Sequence, residues 1–109
     1  MEWIVLNSEA QLDKINIDSA QRPQLIFKHS TRCSISAMAK NRLYKNELPE
    51  GIDFYYLDLI NYRSISNKIA ENYGIRHESP QVLLIKNGQC IYNESHSGIY
   101  MNDIVAEAK

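Results

Sequence analysis

The sequence predicts an α/β fold in which helices flank a mixed central sheet, with the element order βαβαβαββα. The chain has 109 residues, of which 44% are hydrophobic, which is enough for a buried core but too short for a second domain, so one domain over residues 1–109 is expected. Short β-like segments alternate with helical periodicity. Asn87-Gly88 between two β-rich runs predicts a closing hairpin. Parallel strands with crossover helices and one antiparallel hairpin satisfy this order.

The first half of the chain contains two strand–helix units. Residues 3–6 read as a short strand, and Ser8-x-x-Gln11 is a capping box that opens a helix carrying Leu12 and Ile15. Residues 23–29 read as a second strand, followed by the polar turn 30–32. The next helix has an apolar face of Ile35, Met38, Ala39 and Leu43. Cys33 is therefore expected in the first turn of this second helix.

The second half repeats the strand–helix pattern and then adds the hairpin. Residues 53–59 are aromatic-rich and β-like, and a four-residue apolar spacing predicts a third helix that stops at Gly74. After the loop 76–80, residues 81–85 and 89–93 read as the hairpin strands. A final helix is expected from Ser97 onward, with apolar residues spaced i, i+3, i+4, i+7 at Met101, Ile104, Val105 and Ala108.

Two cysteines are too few for a disulfide scaffold. The start of the chain shows no basic leader, and no stretch reaches the roughly 20 apolar residues of a membrane helix. The sequence therefore predicts a cytoplasmic protein without a membrane partner. A reducing cytosol keeps both cysteines as thiols, so a cysteine placed for chemistry is catalytic or redox-sensing.

Charge is distributed unevenly along the chain. Residues 21–46 contain six basic and no acidic residues, so this positive block sums to +6 and leaves −7 for the rest of a chain whose net charge is −1. Such a block gives a local positive field suited to an anionic group or a thiolate. A solvated basic helix face is the alternative for Lys40, Arg42 and Lys45. Because the block lacks the interleaved aromatic residues of single-strand sites, no nucleic-acid partner is expected.

Cys33 carries the predicted chemistry. A cysteine that follows a strand and begins a helix faces unpaired backbone N–H groups and the positive end of the helix dipole, which lower the pKa of a thiol, and Arg32 adds a cation. The thiolate is the species that attacks disulfides. A buried cysteine packed as a small hydrophobic residue is the alternative.

Ser36 lies three residues after Cys33, where a dithiol oxidoreductase has its second cysteine. Serine cannot resolve a mixed disulfide, so Cys33-Ser34-Ile35-Ser36 predicts a mechanism with a single cysteine. Its hydroxyl can donate a hydrogen bond to the Cys33 thiolate. A solvent-facing helix serine is the alternative.

Residues 73–76 (Tyr-Gly-Ile-Arg), Ser79-Pro80 and residues 82–88 resemble the C-terminal half of thioredoxin. The resemblance implies a thioredoxin-like fold in which Pro80 is the cis-proline beside the active cysteine and Ser79 offers backbone groups to an extended substrate. An ordinary trans proline in a turn is the alternative. The chain departs from thioredoxin at Phe27, where that family keeps a buried acidic residue, and at His29, which replaces a tryptophan.

Three separated segments in the same order, residues 27–36, 77–81 and 95–96, resemble the monothiol bacilliredoxins. This resemblance implies a thiol–disulfide oxidoreductase that removes bacillithiol, a cysteinyl-glucosaminyl-malate thiol, from S-thiolated client proteins. It implies bacillithiol or another low-molecular-weight thiol as co-substrate. The sequence contains no G-x-G-x-x-G or P-loop motif, so no tightly bound cofactor is expected. Cys33 is then catalytic, and the substrate-binding or thiolate-stabilising candidates are Thr31, Arg32, Ser36, Ser79, Pro80, His29 and His96. The anionic malate end agrees with the positive block, and Arg63 is a further possible contact of the small thiol.

Three alternatives concern metal and function. His29, His77 and His96 all fall near the catalytic end, but no C-x-x-C or paired histidines on one helix accompany them, so no metal site is expected. A non-enzymatic adaptor module on the same fold is one rival function. Another cysteine enzyme, such as an arsenate reductase or a peroxidase, is the second, although only Thr31 and Arg32 hint at a peroxide pocket.

Cys90 follows the Asn87-Gly88 turn on the second hairpin strand. This position lies close to the turn and far from the strand ends that carry Cys33. Cys90 is therefore interpreted as structural rather than as a resolving cysteine.

Overall fold

The structure, a computed structural model, describes residues 2–109, so Met1, the first residue of the expected domain, lies outside the described range. The strands are β1 (Ile4–Val5), β2 (Gln24–His29), β3 (Asp53–Asp58), β4 (Gln81–Lys86) and β5 (Gln89–Ser95). The helices are α1 (Ala10–Asp18), α2 (Ser34–Tyr44), α3 (Arg63–Tyr73) and α4 (Met101–Ala108), with a 3₁₀ turn at His96–Gly98 before α4. The predicted element order is confirmed. None of the helices within residues 2–109 combines the length and apolar character required to span a membrane.

The five strands form one mixed sheet in the order β1-β3-β2-β4-β5. β1 and β2 pair in parallel with β3, whereas β4 runs antiparallel to both β2 and β5. Lys28 near the end of β2 pairs with Gln81 at the start of β4. The carboxyl end of β2 and the amino end of β4 therefore lie side by side, and we call this end of the sheet the site end. It carries the turn 30–32 into Cys33 and receives the loop 76–80.

Helices cover both faces of the sheet and give the protein two apolar clusters. One cluster packs α2 and α4 against one face; its buried members include Leu25, Phe27, Ala39, Leu43, Phe54, Val82, Leu84 and Ile104. The other packs α1 and α3 against the opposite face; its buried members include Leu12, Ile15, Ile26, Leu57, Ile65, Ile69, Leu83 and Ile85. Each fully buried aliphatic or aromatic side chain contributes about 1.5–3 kcal/mol. β2 is buried along its whole length, so the turn that leads to Cys33 starts from a rigid strand.

The predicted apolar face of α2 is partly wrong. Ala39 and Leu43 are buried, but Ile35 is 49% exposed and Met38 is 61% exposed. The buried stripe runs through Ser36, Ala39 and Leu43, at i, i+3 and i+7, so a polar residue takes the place expected for Ile35. Two apolar side chains are left on the surface of the helix that begins at Cys33.

The predicted start of α4 at Ser97 is also wrong, because α4 begins at Met101. Ser97 lies in the 3₁₀ turn, and Ile99 and Tyr100 are extended. The Arg42 side chain donates hydrogen bonds to the carbonyls of His96 and Ile99, at 3.1 and 3.0 Å. The Arg42 side chain thus satisfies two carbonyl groups that would accept backbone N–H groups of α4 if the helix began at Ser97. The apolar spacing of α4 holds, with Met101 and Ile104 buried.

Helix ends follow local sequence signals to different degrees. Only half of the capping box at α1 forms. The Gln11 carboxamide oxygen accepts the Ser8 N–H at 3.0 Å. The Gln11 N–H donates to the Ser8 carbonyl, and not to the Ser8 hydroxyl as a full capping box requires. α3 ends at Gly74, as predicted, with φ +64° in the left-handed region. No atom lies within 4 Å of the position that a Cβ would take there.

We expect Gly74→Ala to lower the free energy of unfolding by about 1 kcal/mol, because a Cβ in the left-handed conformation is strained even in open space. Urea denaturation measures the change. Gly74→Asn is the matched control and should lose less, since asparagine tolerates this conformation. Equal losses in the two variants would contradict the conformational explanation.

Candidate active site

Cys33 is the N-cap residue of α2, one position before the first helical residue. Its backbone is extended, with φ −114° and ψ 123°. The Cys33 N–H donates to the Ser30 carbonyl at 3.2 Å, and the Cys33 carbonyl accepts the Ala37 N–H at 3.0 Å. The cysteine is a free, partly exposed thiol, and no acidic residue occupies the first turn of α2. The structure therefore places this thiol at the positive end of a three-turn helix.

Ser36 is fully buried, so it is not a solvent-facing serine. Its Oγ accepts the Ser30 N–H at 2.9 Å and lies 2.7 Å from His29 Nδ1. Because the Ser30 N–H can only donate, the single Ser36 hydroxyl hydrogen is available to His29 Nδ1. The hydroxyl is thus engaged with His29 and the turn, and not with Cys33 as the sequence analysis expected. The bonds tie the end of β2 to the first turn of α2.

His29 is 4% exposed and ends β2. Its ring packs near the rings of Phe27 and Tyr56, at centroid distances of 5.7 and 5.6 Å. Burial, and then the charge of Lys40, lower the pKa of His29 below 6.5, while Asp58 acts in the opposite direction. The ring is therefore neutral at pH 7, and a neutral ring can accept the Ser36 hydroxyl hydrogen at Nδ1.

The loop before β4 contains a cis peptide bond between Ser79 and Pro80, as the sequence analysis expected. Gln81, the first residue of β4, folds its carboxamide back onto this loop: Nε2 donates to the Arg76 carbonyl at 3.0 Å, and Oε1 accepts the Glu78 N–H at 3.5 Å. The buried Ser79 Oγ has no hydrogen-bond partner among residues 2–109.

His96 borders the same loop from the end of β5. Its N–H donates to the Pro80 carbonyl at 3.1 Å, and its Nε2 lies 3.8 Å from a Glu78 carboxylate oxygen. The residue adopts φ +56°. His96 and the Pro80 loop are thus joined at the site end, and His96 is the first residue of the 3₁₀ turn that Arg42 anchors.

The positive block does not form one solvated face. Thr31 and Arg32 are exposed in the turn before Cys33. Arg42 is held by backbone carbonyls, and Lys40 Nζ lies 5.2 Å from the ring centroids of both Tyr44 and Tyr56. The exposed charge nearest to Cys33 along the chain is therefore Arg32.

Lys28 is a site-end residue that the sequence analysis treated only as one charge of the positive block. It is fully buried, and its Nζ lies 3.2 Å from the Ser66 carbonyl and 3.4 Å from His77 Nδ1. Burial lowers the pKa of Lys28 to about 8. The signal available in the sequence was the position of Lys28 between Phe27 and His29 within a strand that is buried on both faces.

Cys90 lies at the opposite end of the sheet, because it pairs with Ile85, which in turn pairs with Gln24 at the start of β2. The register shift opposite Leu84 and Ile85 leaves Ile91 as an extra residue, so Cys90 packs against the cluster under α1 and α3. Its thiol donates to the Tyr92 carbonyl at 3.3 Å. Burial raises the pKa of Cys90, in accord with a packed, structural cysteine.

The three histidines have separate partners: Ser36 for His29, Lys28 and Ser66 for His77, and Glu78 for His96. Within residues 2–109, His, Cys, Asp and Glu side chains do not form a group of three or more that could hold a metal ion.

Comparison with known proteins shows the family and the fold of this chain. The family model described as "Monothiol bacilliredoxin BrxC" matches residues 4–104. A solved structure described as an inferred oxidoreductase with a thioredoxin fold is similar, with a TM-score of 0.83 and 29% identity, covering 97% of this chain and 93% of the other.

Two thioredoxins share the fold at lower identity. Thioredoxin from Malassezia sympodialis has a TM-score of 0.77 and 21% identity, covering 99% of this chain and 92% of its own. Thioredoxin from Fasciola hepatica has a TM-score of 0.72 and 17% identity, covering 97% of this chain and 99% of its own. The thioredoxin-like α/β fold predicted from the sequence is confirmed.

We expect Ser36→Ala to lower the free energy of unfolding by about 1–3 kcal/mol, because it leaves the buried Ser30 N–H and His29 Nδ1 without their partner. Ser34→Ala on the exposed face of the same turn is the matched control and should change stability by less than about 0.5 kcal/mol. Urea denaturation of both variants measures the difference. A loss at Ser36 no greater than at Ser34 would show that the hydroxyl contributes nothing to the site.

We expect stability to fall as the pH drops below about 6.5, because the lowered pKa of His29 makes the unfolded chain the better proton acceptor in that range. His29→Asn removes the titration while keeping an acceptor for the Ser36 hydroxyl, so the pH dependence should become flatter. His77, whose pKa burial and Lys28 also lower, retains part of the slope. Denaturation midpoints between about pH 5 and about pH 7.5 test this, and an unchanged slope in His29→Asn would contradict it.

Proposed function

Because this chain belongs to the monothiol bacilliredoxin family, we propose that it removes bacillithiol from mixed disulfides on client proteins in the cytoplasm, with Cys33 as the nucleophile. Its partners in this proposal are S-thiolated client proteins and a low-molecular-weight thiol. Bacillithiol or a related thiol acts as a co-substrate, and the reaction needs no tightly bound cofactor. The similarity to an inferred oxidoreductase at 29% identity supports redox chemistry on this fold.

The proposed reaction consists of two thiol–disulfide exchanges. The Cys33 thiolate attacks the bacillithiol-derived sulfur, a new disulfide forms between Cys33 and the small thiol, and the client sulfur leaves as a thiolate that takes a proton from water. A second small thiol, as its thiolate, then attacks the adduct. This step releases Cys33 as a thiolate. The second product is a disulfide of the two small thiols, which keeps the two-electron oxidation.

The observation that carries the proposal is the position of Cys33 as the N-cap of α2 with no second cysteine near it. Ser36 occupies the place of a resolving cysteine, and its hydroxyl is bonded to His29. Cys90 is separated from the site by the length of β2, five residue steps of about 3.3 Å each. Resolution by a second thiol from solution is the mechanism that this arrangement supports.

The surface around Cys33 supports contact with a polypeptide. Ile35 and Met38 are exposed on the helix that begins at Cys33. Neither the N–H nor the carbonyl of Ser79 bonds another backbone group within the described part of the chain. Exposed apolar side chains and free backbone groups are groups that an extended client segment can cover. Thr31, Arg32 and His96 complete the proposed contact surface.

We expect Cys33→Ser to abolish release of bacillithiol from a thiolated client, because serine is not a nucleophile for disulfides. Cys90→Ser is the matched control and should retain the rate, since Cys90 is packed at the other end of the sheet. Liquid chromatography of the released thiol measures both variants, and intact-protein mass spectrometry locates the adduct on Cys33. Equal inactivity of a folded Cys90→Ser would contradict the single-cysteine mechanism.

A further inference from the structure

The buried ammonium of Lys28 has an unusual set of neighbours. Lys28 is fully buried, yet its hydrogen-bond partners are the Ser66 carbonyl at 3.2 Å and His77 Nδ1 at 3.4 Å, and neither is a carboxylate. The Ser66 hydroxyl also lies 3.2 Å from His77 Nδ1. An uncompensated buried charge is costly, so each acceptor around it contributes to keeping it in place.

This geometry favours one tautomer of His77. An ammonium group can donate but never accept, so a hydrogen bond between Lys28 Nζ and His77 Nδ1, which lie 3.4 Å apart, makes Nδ1 the acceptor. The proton of the neutral ring then belongs to Nε2. The Ser66 hydroxyl is a second donor within reach of Nδ1. Lys28 and Ser66 together therefore favour the Nε2–H tautomer.

The charged groups facing His77 act in both directions. Lys28 from β2 and Arg63 from α3 lower the pKa of His77, after the larger effect of burial, whereas Glu78 in its own loop raises it. β4 contributes the neutral Gln81, which bonds the same loop. The pKa of His77 is lowered overall from 6.5, so the ring is neutral at pH 7 and keeps the acceptor that Lys28 requires.

His77 is otherwise solvent-exposed and lies three residues before Pro80, in the loop that reaches the site end. Its inward nitrogen is fixed by Lys28 while the residue remains accessible. A neutral imidazole held in this way presents a single N–H donor to solvent.

We propose that Lys28 is a positioning residue that locks His77 as an Nε2–H donor, and that His77 donates this hydrogen bond to a carboxylate or carbonyl oxygen of the small thiol held in the mixed disulfide. The proposal rests on the proposed function for its substrate. It identifies His77 as a specificity-determining residue for thiols that carry an oxygen acceptor.

The tautomer is testable without substrate. Long-range ¹H–¹⁵N NMR of the wild-type protein at pH 7.5 should show His77 as the Nε2–H form. In Lys28→Met, which removes the charge at similar volume, the His77 titration midpoint should move upward toward 6.5, whereas exposed Lys68→Met should leave it in place. An Nδ1–H tautomer in the wild-type protein would overturn the proposal even if Lys28→Met does not fold. An unmoved midpoint in folded Lys28→Met would do the same.

The substrate contact is tested with one client peptide carrying either bacillithiol or cysteamine, which has no oxygen acceptor. His77→Phe should raise KM for the bacillithiol peptide by about tenfold and leave kcat nearly unchanged. His77→Gln, whose side-chain amide can donate from a similar position, should recover most of the loss. Neither variant should affect the cysteamine peptide.

Two kinetic outcomes overturn the contact: no rise in KM, or an equal rise for both peptides, which would place the acceptor on the client. Wild-type protein that releases neither thiol from any client contradicts the proposed function instead. The tautomer measurement then still decides whether Lys28 locks His77, because it requires no turnover.

Discussion

The antiparallel pairing of β2 with β4 is the constraint on which the site depends. Lys28 opposite Gln81 aligns the end of one strand with the start of the other. The turn to Cys33 leaves from the first strand, and the loop with the Ser79–Pro80 bond enters the second. A register slip of one residue would move every side chain of the slipped strand to the opposite face of the sheet and so disrupt the packing of both apolar clusters. The cores under the helices therefore hold the turn before Cys33 and the loop before β4 in register.

Hydrogen bonds from Ser36 hold the start of α2 against β2, at the position where a dithiol enzyme has its second cysteine. Ser36 is buried and accepts the Ser30 N–H, while its hydroxyl hydrogen is available to His29. This network joins strand, turn and helix without using the Cys33 sulfur. Cys33 is left as a partly exposed thiol on a rigid frame, as the proposed exchange with a thiol from solution requires.

Local patterns in the sequence predicted the element order, the helix stop at Gly74, the hairpin and the position of Cys33 near the start of α2. They failed where tertiary contacts decide. Ile35 and Met38 fit a helical apolar stripe, but the orientation of α2 on the sheet buries Ser36 instead. The apolar spacing extends α4 to Ser97 because no sequence pattern shows that Arg42 binds the carbonyls of His96 and Ile99. The sequence pairs Ser36 with Cys33 for the same reason, since Cys33 is near in sequence whereas His29 is near in space.

The buried charge at the site end follows from strand alternation. Phe27 and Lys28 are neighbours in β2, so their side chains point to opposite faces. Phe27 joins the cluster under α2 and α4, whereas Lys28 reaches Ser66 on α3. An acidic residue at the position of Phe27, as thioredoxins have, would therefore face the layer of α2 and α4. The ammonium group of Lys28 faces the layer of α1 and α3. No carboxylate in residues 21–46 opposes it. The N-terminus of α2, Arg32 and Lys28 thus give the site end a positive bias from three independent sources.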